Sequence, residues 1–320
     1  MYNKLQKAIA AEVAASLGDD PNALAEYAYP LYDKGLFGPD SVVWKVHADL
    51  PSMLIGGISS LMLQSLHPLA MAAVAQYSSY QTDPFGRLQR TARFVAGTTF
   101  GSSEMALRYI DHVKSIHTQI QGETKEKVKY SASDPHLLTF VHVAEVSSFL
   151  RAYQSFSLKP LLNAEIDTYY REISLVAEML GAENIPKSLS EVKSYFKEIR
   201  QELSATKEAR EVLSFLRDGI NDFIATQSGS GQEKNDRRTG IAKISSIVKP
   251  SVRVRKILSD SAFDLLFYWA KDLFGETIAI PKVVLSPAAF STCVLLRWAI
   301  GPSKVAKVAT LRVAGTSYER

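Results

Sequence analysis

The 320-residue chain carries a single cysteine, Cys293, which excludes a disulfide scaffold, a four-thiolate zinc site and a cysteine-ligated iron–sulfur cluster. Its six histidines, His47, His67, His112, His117, His136 and His142, include no His-x-x-x-His pair, so a structural zinc site is not expected. Strand signals are equally scarce: Ile278-Ala-Ile and Val283-Val-Leu are short and isolated. The P-loop, the Gly-x-Gly-x-x-Gly turn, the Gly-x-Ser-x-Gly elbow and His-Glu-x-x-His are all missing, which removes the common nucleotide, hydrolase and metalloprotease templates. Ser228-Gly-Ser-Gly is too polar and too strand-poor in context to stand in for an elbow. The first residues lack an apolar core between a basic start and an Ala-x-Ala site; they do not read as a signal peptide, and a cytoplasmic location is the expectation.

What remains is globular in composition, with 46% hydrophobic and 22% charged residues. A chain of this length buries roughly three quarters of its surface on folding, enough to enclose a cofactor. The net charge of +4 is unevenly placed: residues 233–320 hold 15 Lys/Arg against 7 Asp/Glu, or +8, which leaves −4 for residues 1–232. The densest basic run, Lys234 to Lys256, follows the flexible stretch Gln227-Ser-Gly-Ser-Gly-Gln232. It suits a solvated surface or peripheral contact with an acidic membrane. Nucleic acid is not the expected partner, because no aromatic residue lies between Ile224 and Phe263 to stack on bases.

Helical periodicity runs almost throughout, and the fold class is all-α. Asp83-Pro84 reads as an N-cap with proline in the first turn of a helix ending near Thr99, before Gly101. A second helix is expected over Ser103–Ile120, and Asp134-Pro135 opens a third that reaches about Phe156. Ser188-Leu-Ser-Glu191 is a capping-box pattern. Further helices fit 158–182, 206–218, 258–275 and 286–300. The longest apolar stretch, Met53 to Ala75, is long enough to span a bilayer. Gly56, Gly57, Gln64 and the His67-Pro68 break argue for two buried helices meeting at a polar corner. The chain is read as one helical domain over residues 1–320, with a basic loop at about 227–256 before its last helices.

The candidate site residues lie on three of these helices. On the second, Ala106, Ile110, Val113, His117 and Ile120 are spaced 4, 3, 4, 3, which puts His117 on the apolar stripe and His112 off it. A neutral imidazole on such a wall is either a satisfied core group or an axial donor to haem iron. On the first, Arg87 and Thr91 share a face, with Arg90 beside them. An arginine there suits a carboxylate such as a propionate, or else pairs with Asp83. On the third, His142 has Glu145 three residues on, which can orient a ligating imidazole or simply tie helices together.

Leu66-His-Pro, Asp83-Pro-Phe-Gly-Arg-Leu-Gln-Arg-Thr91, Ile116-His117 with Gly122, and Tyr130-Ser-Ala-Ser-Asp-Pro through Val141-His142 to Phe149-Leu-Arg-Ala-Tyr153 occur in an order that resembles the haem-dependent oxygenases grouped with latex-clearing protein (rubber oxygenase) and the MpaB-type oxygenase. The likeness is clear over about residues 40–215 and loose beyond about 220. It implies a globin-like helical core holding haem b, with His117 as the axial iron ligand and His142 in reserve. Arg87 and Thr91 match residues that support the haem environment. Arg90 falls where the rubber-cleaving members place a distal lysine ligand. A guanidinium offers iron no suitable lone pair, so an open or water-bound sixth position is expected. The glutamate base that rubber cleavage uses has no counterpart, since residues 68–82 contain no carboxylate; polyisoprene is therefore not carried over.

The expectation is a haem b oxygenase that uses O2 on a small hydrophobic, alkene- or isoprenoid-like substrate, with Thr91 and Arg90 on the oxygen side. Met53, Met62 and Met71 would line the apolar pocket. A haem-binding sensor or carrier without turnover is the alternative. Oligomeric state is not legible in the sequence.

Overall fold

A computed structural model describes residue 6 and residues 21–78, 84–219, 250–278 and 280–318. All-α architecture holds throughout these residues, relieved by one small hairpin. The helices are α1 (Pro21–Glu26), α2 (Val42–His47), α3 (Leu50–Gln64), α4 (Pro68–Tyr77), α5 (Pro84–Phe100), α6 (Ser103–His117), α7 (Pro135–Phe156), α8 (Asn163–Leu180), α9 (Leu189–Ile199), α10 (Lys207–Ser214), α11 (Pro250–Asp264), α12 (Tyr268–Phe274), α13 (Lys282–Ile300) and α14 (Lys304–Val313).

The centre is α7. Its start follows from the Asp134-Pro135 pair: the Asp134 carboxylate accepts from His136 N at 2.9 Å, and proline occupies the first turn, where no N–H is needed. Buried residues then appear around nearly its whole circumference, from Leu137 and Phe140 to Tyr153 and Phe156, the mark of a helix enclosed by others. Helix α3 lies along it, and glycine sets the approach. A Cβ on Gly56 would stand 2.9 Å from Phe149 Cα. The apolar stretch from Met53 bends by 104° between α3 and α4, as the His67-Pro68 break predicts, with Met62 and Met71 buried and Met53 half-buried. At the head of α3, Asp49 accepts two hydrogen bonds from Arg297 of α13, at 2.7 and 2.6 Å. That bidentate geometry fixes α13 to the core pair. Helix α13 is also long and apolar enough to cross a membrane, and a third of that stretch is buried.

Helices α5 and α6 meet at Gly101-Ser102. Ser102 caps α6 by accepting from Met105 N at 3.2 Å. Gly97 seats the Tyr109 ring, which a Cβ would approach to 2.5 Å. Arg312 from α14 is fully buried here. It donates to the carbonyls of Asp33 (2.9 Å), Tyr27 (3.0 Å) and Gly101 (3.1 Å).

Some boundaries depart from the sequence reading. Helix α6 stops at His117, three residues early, and the chain then forms a hairpin, β1 (Gln121–Glu123) against β2 (Lys129–Ser131), with Gly122 opposite Tyr130. Three-residue strands carry no detectable period, which is why periodicity missed them. Tyr77 of α4 donates to Gln121 O at 2.7 Å and holds the hairpin against that helix. The helix expected over 258–275 is two, α11 and α12, separated around Leu266-Phe267. The Val283-Val-Leu run is helical. Asp83, and the basic run as far as Lys249, lie outside the described residues.

Candidate functional site

Arg87 stands fifteen residues before Ser102 and His117 fifteen after it, so both occupy the end of the α5–α6 pair remote from the corner. Arg87 is half-buried and donates from Nη1 to Ser78 Oγ at 3.0 Å. Thr91 Oγ1 donates to Arg87 O at 3.2 Å, the local bond expected of a threonine within a helix. Thr91 and Arg90 are both exposed. The apolar stripe of α6 fades along its length: Ala106 and Ile110 are buried, while Val113 and His117 are only half-buried. His117 therefore borders solvent and does not sit inside the core. Burial still holds its pKa below the ordinary imidazole value, so it is neutral at pH 7. Neither ring nitrogen has a hydrogen-bond partner among the described residues. His112 is exposed, as its place off the stripe predicts.

His142 belongs to a different environment. It is buried on α7, and desolvation pushes its pKa down to about 4, with the Glu178 charge of α8 opposing. No hydrogen bond joins it to Glu145 among the described residues, so the expected pairing does not form. Glu145 is instead a partly buried carboxyl whose pKa burial raises to about 7. Its charge acts on Tyr169 of α8. The Tyr169 hydroxyl is 3.1 Å from His47 Nε2, and His47 Nδ1 is 2.7 Å from Thr99 Oγ1 of α5. Full burial lowers the His47 pKa to about 3. His47, Thr99 and Tyr169 thus form a buried chain of neutral polar groups that joins α2, α5 and α8. Sequence reasoning did not single out His47, which reads as one polar position in the apolar segment Val42–His47.

Two groups of residues therefore emerge: Arg87, Thr91 and His117 at the open end of α5–α6, and His47, Glu145, His142 and Tyr169 inside the bundle. The family model for the catalytic domain of ER-bound oxygenase mpaB/B′ and rubber oxygenase matches residues 44–294. The chain belongs to this oxygenase family. No curated protein and no solved structure matches it. The match begins at Trp44 and continues through α11 and α12 into α13, well beyond the segment in which the likeness is legible by motif. The C-terminal helices that clasp α3 are thus part of the mpaB/rubber oxygenase domain.

Within that domain a cavity of about 260 Å³ opens between α7, α8, α9 and α12. Phe267 and Trp269 stack on its wall with centroids 5.4 Å apart, and the Arg151 guanidinium stands 4.3 Å over Phe267. None of the sequence-predicted site residues lines it. Lys193, Lys197 and Arg200 do, and their 4, 3 spacing on one helix face was legible. Cys293 is buried, which pushes its thiol up to about 12; it is an inert core group.

Proposed function

We propose that the protein is a haem b-dependent oxygenase that uses O2 on a small hydrophobic, alkene- or isoprenoid-like substrate, with His117 as the residue that would hold the iron. One observation carries this reading: His117 is a neutral, partly desolvated imidazole with no hydrogen-bond partner among the described residues, at the far end of α6 from the corner, as Arg87 and Thr91 are towards the far end of α5. These residues fit the group. A nitrogen that holds iron must be unprotonated and uncommitted, and Arg87 would supply a planar donor for a propionate. Haem, when bound, supplies the redox chemistry on O2.

The chain's own contribution is ligation, orientation and exclusion of water. Thr91 Oγ1 presents a hydroxyl on the Arg87 face, and Arg90 adds a permanent positive charge that cannot ligate iron. Glu145, with its raised pKa, is a carboxyl able to hold or release a proton near pH 7, but it lies with the interior group and not at the Arg87–His117 end. The half-buried Met53 and the buried Met62 and Met71 offer adaptable apolar lining. His142 is the reserve ligand. Peripheral contact with an acidic membrane is supported by the Lys234–Lys256 charge and by the exposed apolar residues Val283, Val284 and Trp298 of α13; a cytoplasmic location is part of the same proposal.

Expression with excess haem should give near one b-type haem per chain, measured by absorption and pyridine haemochromogen. His117→Ala should lose it and His112→Ala keep it. A folded, colourless protein that cannot take up haem overturns the proposal; loss with His142→Ala alone moves the ligand to α7. The missing carboxylate in residues 68–82 favours one second reading, a sensor or carrier without turnover. Oxygen uptake with formation of oxygenated alkene separates the enzyme from the carrier.

A further inference from the structure

Three side chains remote in sequence meet beside the α3–α4 corner. His67 forms the corner, His136 lies in the first turn of α7, and Glu202 ends the short helical turn Arg200–Glu202 after α9. One nitrogen from each imidazole and one carboxylate oxygen lie within 4.8 Å of one another. His136 Nε2 is 2.9 Å from Glu202 Oε2, and His67 Nε2 is 3.8 Å from the same oxygen. The first is a hydrogen bond; the second is too long to be one. His67 is only 2% exposed, yet neither of its ring nitrogens has a hydrogen-bond partner. A buried polar group left in that state normally costs stability, so it calls for a missing partner. The three ligand atoms converge where such a partner would sit.

We propose that His67, His136 and Glu202 bind a divalent transition-metal ion of the zinc class, at a site separate from the one assigned to haem. Two imidazoles and a carboxylate are the donor set of open zinc sites, and of ferrous sites that keep positions free for water. Calcium and magnesium prefer all-oxygen shells and do not suit it. With metal–ligand bonds of about 2.0–2.1 Å, tetrahedral donors stand roughly 3.3 Å apart. The two separations to the Glu202 oxygen, 2.9 and 3.8 Å, bracket that figure, and the two imidazole nitrogens lie within 4.8 Å of each other.

The surroundings anchor the donors. Ser204 N donates to Leu66 O at 2.8 Å, which joins the Glu202 turn to the His67 corner. Asp134 caps His136 N and adds a second negative charge that acts on His67. The Phe140 ring lies 5.0 Å from the His67 ring and walls its inner side. His67 is the fixed member, while His136 and Glu202 are about half exposed, at 52% and 48%, and are free to close on the ion. Solvent beyond them would complete the shell.

The test uses the full-length protein, with its haem content counted separately so that failure of the haem reading cannot be confused with failure here. After treatment with EDTA the protein is equilibrated with Zn2+, and retained zinc is counted by inductively coupled plasma mass spectrometry. About one zinc per chain is expected. His136→Ala and Glu202→Gln, at half-exposed positions that the core does not depend on, should each weaken binding about tenfold or more. His112→Ala should not. Zinc should also raise the unfolding temperature of the unmutated protein and leave that of the two variants unchanged. Failure to retain zinc at micromolar free metal overturns the proposal, as does equal retention by His136→Ala and Glu202→Gln.

Discussion

The two ends of the α5–α6 pair are built on opposite principles. At the corner, Gly97 takes the Tyr109 ring, Thr99 bonds His47, and Arg312 spends its guanidinium on three carbonyls. Thr98, Thr99 and Phe100 are buried. At the far end, Arg87 and His117 are half-buried and Thr91 and Arg90 exposed. The proposed haem-facing residues Arg87, Thr91 and His117 lie where packing is thinnest. A rigid corner fixes the direction of both helices, so their far ends can leave room for a bound group without losing position.

Arg312→Met should break this contrast most strongly. It leaves three buried carbonyls without a donor, and a loss of about 3–5 kcal/mol is expected in urea unfolding. A loss below about 1 kcal/mol would mean that the corner is not pinned as described.

His47→Ala, next in size, leaves the Tyr169 and Thr99 hydroxyls unpaired and should cost about 1–3 kcal/mol. It should also alter the response to acid. His47 and His142 have folded pKa values of about 3 and about 4, below the ordinary 6.5. Their stabilisation is complete above about pH 6.5 and is lost as the pH falls towards those values. Glu145, raised to about 7, acts in the reverse sense, since its contribution is whole below about pH 4.5 and is lost as the pH rises through 7. The unfolding midpoint should change little between pH 8 and 6.5, where the two effects oppose, and fall between pH 6.5 and 5, and His47→Ala should flatten that fall. Glu145→Gln should be more stable than the parent at pH 8 and steepen it.

At the open end the expected stability changes are small. His117→Ala and Thr91→Val should each move haem-free stability by no more than about 0.5 kcal/mol, although the first should abolish haem retention. Arg90→Lys, the mildest change, should alter only the spectrum. The parent ferric protein should be five-coordinate or water-bound, and the variant should gain a low-spin nitrogen-ligated signal in electron paramagnetic resonance. A low-spin bis-nitrogen signal in the parent would place another side chain on the iron.

Much of this arrangement could be read from the chain itself. The Asp134-Pro135 cap, the break at His67-Pro68 and the stripe of α6 are local, and local chemistry is what periodicity and capping report. His117 was found on its stripe, though its half-burial was not, because exposure depends on which helices stop short of it. The Glu145–His142 pairing was misjudged because two residues three apart on a helix need not turn towards each other once neighbouring helices compete for them. The His47–Tyr169–Thr99 chain and the meeting of His67, His136 and Glu202 join segments that only tertiary packing brings together, so no spacing rule reveals them.

The hydrogen bond from Arg312 to Gly101 O closes a loop of 211 residues. During synthesis at about 5–20 residues per second, roughly 10–40 s separate the appearance of that carbonyl from the appearance of its donor. For that interval the α5–α6 corner exists without its clasp. The nascent chain therefore presents the α5–α6 pair before the structure that steadies it has been made. Truncation just ahead of Arg312 would hold the protein in that earlier state.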